Sequence, residues 1–235
     1  MKTLVTIKTL AVFGLAASLS LGATLSLTGC VTLLPKEKPA QLYRFSYDPS
    51  SLGKDSEVSQ APLSPTPVPL AMSVVTFPQA SAGDRVLTSE NNELSYVADS
   101  RWAVPAQVLF NEAINDGFAR AGRGLQLEAH GPGAASFRLE LNVRKFETDY
   151  HHGKAMVAVD MDARLIRLSD HAIVGQRYVT ADVGVARNDM GDMVEAYNKA
   201  TTQAVMALID FSQESIATGS DAVTNPSPGQ VPVAK

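Results

Sequence analysis

Hydrophobic positions along this chain change period several times, and each change marks a structural element. From Ser136 the period is two: Phe137, Leu139, Leu141 and Val143 alternate with Arg138, Glu140, Asn142 and Arg144. The same alternation returns with Val157, Val159, Met161, Ala163 and Leu165 set against Ala158, Asp160, Asp162 and Arg164. Such runs predict half-buried strands. His151-His152-Gly153 joins them and Ser169-Asp170-His171 leads into a third strand, Ile173 to Val183, so the simplest pairing is an antiparallel meander. Earlier, Leu42-Tyr43-Arg44-Phe45 predicts a short first strand and Leu70 to Phe77 a second, stopped by Pro78. Val86-Leu87 and Leu94-Ser95-Tyr96-Val97 flank Asn91-Asn92, whose side chains suit the tight turn of a hairpin.

Between Trp102 and Gly122 the period becomes helical. Ala106, Phe110, Ile114 and Phe118 recur every four residues beside Leu109, Ala113, Gly117 and Ala121, while Gln107, Asn111, Glu112, Asn115 and Arg120 fall elsewhere. Pro105 fits in the first turn, where its missing N–H is not needed, and Gly122 with Gly124 supplies the stop. A final helix is predicted from about Asp189 to Ser215, with Met193, Tyr197, Ala200, Ala204, Leu208 and Phe211 on one face. One apolar sheet face and two apolar helix stripes imply an α+β fold of two layers, a mostly antiparallel sheet with two long helices packed on one face.

The flanks of this pattern carry a different message. Lys2 and Lys8 precede an uncharged stretch from Leu10 to Leu27, followed by Leu27-Thr28-Gly29-Cys30. This is the layout of a lipoprotein signal peptide over residues 1–29, cleaved between Gly29 and Cys30. Cys30 then becomes the lipid-bearing first residue, and its acyl chains hold the body at a membrane. Val31, where bacterial sorting usually needs Asp for inner-membrane retention, points to the periplasmic face of the outer membrane. Residues 30–40 read as a tether and 41–215 as one domain. Within it, 48–69 form a loop with Pro62, Pro65, Pro67 and Pro69 at near-alternate positions. The Ser-, Thr-, Gly- and Pro-rich segment 216–235 reads as a disordered tail.

The chain carries a net charge of −4, and removal of residues 1–29 takes two basic residues and no acidic one. An acidic body argues against nucleic acid as a partner. Cys30 is also the only cysteine, so the fold forms without disulfides, and thiolate zinc sites are excluded.

Candidate chemistry is sparse. Asp160 and Asp162, two apart on a strand, share a face as an acid/base pair or hard-metal site would require, although a solvated face with Arg164 as neighbour explains them as well. His151-His152 offers two nitrogens that point oppositely in a strand, which suits a polar hairpin tip better than a metal site. Asn188-Asp189-Met190-Gly191-Asp192 lacks the acidic spacing of a calcium loop and reads instead as helix capping. Trp102 reads as a core anchor at the helix start. No G-x-S-x-G elbow, phosphate-binding glycine loop or H-E-x-x-H occurs. The expectation is therefore no catalytic residue, no metal and no cofactor.

The lipobox, the Tyr43-Arg44-Phe45 strand, the strand after Pro69, the segment Asp84-Arg85-Val86-Leu87…Glu93-Leu94-Ser95-Tyr96…Arg101-Trp102-Ala103-Val104-Pro105, the meander and the Ala-rich last helix together resemble the ABC-type transport auxiliary lipoproteins. The resemblance spans roughly residues 41–212. It implies a lipoprotein partner of MCE-type lipid-transport systems that binds the periplasmic MCE protein without catalysis, with a ring-like homo-oligomer left open. The alternatives are a structural or assembly lipoprotein of the outer membrane or a secretion machine, and a hydrolase using Asp160 and Asp162. The signal reading makes a direct prediction: Cys30→Ser abolishes incorporation of labelled palmitate and releases the protein from the membrane fraction. A serine variant that stays acylated and membrane-bound would refute it.

Overall fold

The longest alternating run becomes the axis of the fold. The computed structural model describes residues 39–53, 67–128, 135–151 and 153–224. The signal segment with Gly29 and Cys30, the tether up to residue 38, residues 54–66 of the Pro-rich loop, His152 and residues 225–235 lie outside that description. Eight strands occur among the described residues: β1 (Gln41–Tyr43), β2 (Val68–Met72), β3 (Arg85–Glu90), β4 (Glu93–Trp102), β5 (Leu125–Glu128), β6 (Phe137–His151), β7 (Lys154–Arg167) and β8 (Ile173–Gly184). Three helices accompany them, namely α1 (Gln79–Ala82), α2 (Ala106–Ala121) and α3 (Met190–Thr224), with a 3-10 turn at Pro49–Leu52.

β6 has three partners. Along one edge it runs antiparallel to β7, which in turn pairs with β8, giving the expected meander. Along its other edge two strands lie end to end. β2 pairs from Leu70↔Phe137 to Met72↔Leu139, a bridge at Thr76↔Asn142 continues the contact, and β3 takes over from Thr88↔Thr148 to Glu90↔Tyr150. Both are parallel to β6, as are β1 to β4 and β2 to β5. The α+β class stands, with a sheet that is mixed although its longest ladders are antiparallel.

A bulge lets β6 serve both ends. The ladder to β7 shifts between Val143 and Lys145. Leu139, Leu141 and Val143 are buried before it and Phe146 and Thr148 after it, while Arg144 and Lys145 are both exposed. The additional residue changes which parity faces the helices, so the buried face stays continuous while the strand bends.

Local chemistry explains where the elements differ from the sequence expectation. The second strand starts at Val68 and includes Pro69. The Val68 N–H bonds toward β5 (to Gly124 O, 2.7 Å) and that of Ser73 toward β6 (to Leu139 O, 3.0 Å). N–H directions alternate along a strand, so the N–H that Pro69 lacks would face β6 one residue before that ladder begins. Trp102 ends β4 rather than opening the helix, because its N–H bonds to Asp84 O (2.7 Å) and Pro105 holds the preceding backbone extended. β1 stops at Tyr43, and Phe45 leaves the sheet for the core. β5, only four residues long, has too little pattern to be read in advance. α3 continues to Thr224, so residues 216–224, expected as tail, are helical. Once a long docked helix exists, each added residue gains a hydrogen bond without a new nucleation cost.

The hairpin, by contrast, is as read: Asn91 and Asn92 adopt φ of 49° and 68°, the left-handed pair of a type I′ turn. All eight apolar positions assigned to α2 are buried, as are the six assigned to α3. α3 lies across β7 and β8, with α2 beside it.

Residues 44–48 form a strap that ties the start of the domain to α3. The N–H of Ser46 donates to Asn198 Oδ1 (2.9 Å) and that of Asp48 to Thr202 Oγ1 (2.9 Å). Phe45 enters a ring cluster, 5.0 Å from both Trp102 and Phe146 and 6.0 Å from Tyr197. Phe77 and Phe110 extend the cluster from the Phe146 side.

The two helices approach closely at Gly117, where a methyl group would overlap Val205 Cγ1 and lie 3.3 Å from the Tyr47 ring. Gly to Ala in a helix normally gains about 1 kcal/mol. Valine in a helix has essentially one χ1 rotamer, so it cannot swing clear. We therefore predict that Gly117→Ala destabilises the protein by about 1–3 kcal/mol. Adding Val205→Ala should recover part of that loss, as read by a double-mutant cycle in urea, whereas strictly additive effects would contradict the close packing.

Candidate functional site

β6, β7 and β8 turn one face toward the helices, which leaves their opposite face without a covering layer among the described residues. Its residues were the polar partners in the alternating runs. Register places them in rows: Glu140, Arg164 and Gln176; then Asn142, Asp162 and Tyr178; then Lys145, Asp160 and Thr180. Near the bulge this face is hollowed into a shallow groove of about 440 Å³, bounded on the far side by Ser73, Val74 and Thr76. Val74 is 86% exposed, the most solvent-accessible large apolar side chain among the described residues.

The charges in this groove neutralise one another. Arg144 Nε donates to Asp162 Oδ2 at 2.6 Å, and Arg164 stands directly across the ladder from Glu140. Asp160 and Asp162 do share a face, as their spacing required, but they have different surroundings. Asp162 is held by Arg144. Asp160 makes no ion pair among the described residues, and its Oδ1 is buried without a hydrogen-bond partner. Burial raises its pKa, the Tyr178 hydroxyl opposes that rise, nearby Asp182 adds to it and Lys145 offsets a little. The position of this carboxyl disfavours its charged form.

The other residues singled out in the sequence are scattered. Of the His151-His152 pair, His151 ends β6 at the β6–β7 turn, and His152 lies outside the described residues. The Asn188–Asp192 segment is a cap: Asp189 Oδ1 accepts the Asp192 N–H (3.0 Å), and Arg187 clamps Asp192 with contacts of 2.7 and 2.8 Å. The hydrogen bond from Arg187 holds the Asp192 carboxyl below the usual range. Trp102 is buried in the ring cluster and reaches no groove. No three His, Cys, Asp or Glu side chains cluster at metal-binding distance among the described residues. No helix among them is long and apolar enough to cross a membrane.

What the sequence did not disclose is the set of anchors from outside the meander. Arg187 and the Asn198–Thr202 pair act on segments far away or in an irregular turn, and no periodicity signals them. The open face thus combines the Arg144–Asp162 ion pair, the exposed Val74 and a carboxylate, Asp160, with one oxygen unpartnered.

Comparison with known proteins bears on the family and the fold. A family model described as ABC-type transport auxiliary lipoprotein component matches residues 51–208. Among solved structures, a protein from Xanthomonas campestris superposes with a TM-score of 0.60 at 18% identity, covering 79% of this chain and all of the other. An uncharacterized protein superposes with a TM-score of 0.57 at 14% identity, covering 74% of this chain and 98% of the other. At such identities the likeness speaks for the fold. No curated protein matches the sequence.

The Asp160 environment has a measurable sign. Its folded pKa lies above the unfolded value, so ionising it costs stability; the cost is absent below the ordinary carboxylate range and complete once pH passes the raised value. Asp160→Asn should therefore match wild type in strong acid and exceed it in denaturant midpoint near neutral pH. A loss of stability at neutral pH would show that the charged form is favoured at this position.

Proposed function

The chain belongs to the ABC-type transport auxiliary lipoprotein component family, and we propose on that footing that it is the non-catalytic lipoprotein accessory of an MCE-type lipid transporter. Family membership carries with it a membrane-anchored place in the cell envelope. The finer reading is ours: Cys30 bears the lipid, the outer membrane is the host, and the folded body presents a protein-binding surface to the periplasmic MCE component.

The observation that carries this reading is the extent of the family match, which runs over residues 51–208 and so takes in the core from β2 to the middle of α3. Physical considerations support it. A transport accessory needs an anchor, a reach-giving tether and a docking surface rather than reactive groups. The open sheet face, with its compensated charges, has the polar character of the surface used in reversible association. Acyl chains on one cysteine confine the body to a membrane surface, which raises its effective concentration near a partner embedded in the same envelope.

The test is direct binding. Full-length protein in detergent should co-elute as a defined complex with the purified periplasmic MCE component of the same cell, and deleting its gene should phenocopy loss of the transporter. Absence of a complex, together with an intact transport phenotype, would contradict the proposal.

A further inference from the structure

The meander ends on β8, which pairs only with β7 among the described residues. Hydrogen-bond phase identifies what that leaves open. The Val185 N–H donates to Ala155 O at 2.9 Å, and the ladder continues in unbroken register from Met156↔Gly184 to Leu165↔Gly175. Antiparallel ladders alternate between hydrogen-bonded and non-bonded pairs. The odd-numbered residues of β8 are therefore tied to β7, and Gln176, Tyr178, Thr180 and Asp182 turn both N–H and C=O to the free edge. Their side chains stand on the uncovered sheet face, because Val179, Ala181 and Val183 are the buried positions.

Apart from a register shift at its start, between Ile173 and Gly175, and the charges of Arg177 and Asp182, this edge lacks the devices that normally blunt one. Between Ile173 and Gly184 there is no proline and no lysine, the run is twelve residues long, and Tyr178 is 54% exposed. Its charge is one-sided as well. Asp182 makes no ion pair among the described residues, and Asp160, its neighbour on β7, has a buried oxygen without a partner. Lys145 reaches this corner only from the β6 side. A strand added to β8 would set one of its side chains directly across from Asp182.

We propose that the free edge of β8 is a docking site for an extended segment of a partner protein, which joins the sheet beside Gln176–Asp182 and places a lysine or arginine opposite Asp182. Main-chain bonds supply the attachment, and the cation, together with a contact to Tyr178, sets the register. The inference deepens the transport-accessory reading by naming the surface involved, and rests on it only for the choice of partner.

The experiment uses the full-length chain in detergent with the purified periplasmic MCE component as probe, following affinity and residue-resolved amide exchange. Two variants separate the contributions. Thr180→Pro removes an edge-facing N–H without touching the β7 ladder, and the exposed Asp182→Lys keeps every backbone donor but reverses the charge. The expected result is rapid exchange at Tyr178, Thr180 and Asp182 in the free protein, protection of those three on binding, and affinity about tenfold weaker for each variant. Binding without protection, with both variants matching wild type, overturns the edge while leaving the accessory reading intact. Protection that depends on protein concentration without the probe overturns the partner assignment in favour of a second copy of this chain. Failure of wild type to bind, with the three amides unprotected, overturns both.

Discussion

Everything in this molecule depends on one cluster of rings. Phe45, Trp102, Phe146 and Tyr197 come from the strap, β4, β6 and α3, and adjacent ring centres lie 5.0–6.0 Å apart. Trp102 meets Phe45 and Tyr197 nearly edge-on, the arrangement in which ring quadrupoles attract. Because the four residues are remote in sequence, none of the elements that contribute them buries its aromatic surface until all have arrived. Burial pushes the Tyr197 hydroxyl well above the ordinary tyrosine range, and Thr148 remains within reach of it at 3.4 Å. The cluster also fixes the N-terminal end of the domain, so a pull on the chain before β1 is borne by the core rather than by a loose arm.

Around that cluster the bulge in β6 divides labour between the two sheet faces. One face keeps an unbroken apolar surface for the helices. The other gathers the polar half of each alternating run, with Arg144 and Asp162 ion-paired and Asp160 and Asp182 left without an ion pair among the described residues. This body presents side chains on the open face and, on the proposal above, main-chain groups along β8 for recognition.

Much of the fold was legible because its signals are local. The stripe from Ala106 to Ala121, the alternation through Phe137–Val143 and Val157–Leu165, and the Asn91-Asn92 turn each follow from neighbouring residues alone. The parallel pairings were not legible, because β2 and β3 find β6 across 60 or more positions of sequence with nothing local to announce it. Trp102 looked helical because it precedes a helix, whereas its backbone is committed to β1 and Asp84. Of the candidate site, the shared face of Asp160 and Asp162 was readable from their spacing. Their unequal environments were not, since those depend on Arg144 at the bulge and on Tyr178 and Asp182 across the β7–β8 ladder.

Trp102 is the sole tryptophan of the chain and lies within the ring cluster, so it reports on that cluster alone. Urea unfolding of the full-length protein, followed in parallel by its fluorescence and by far-ultraviolet circular dichroism, asks whether strap, sheet and helices share one core. Superimposable transitions that move together when Phe45→Ala removes about 3–5 kcal/mol are the predicted result. A fluorescence transition that shifts while the dichroism transition stays in place would contradict the account.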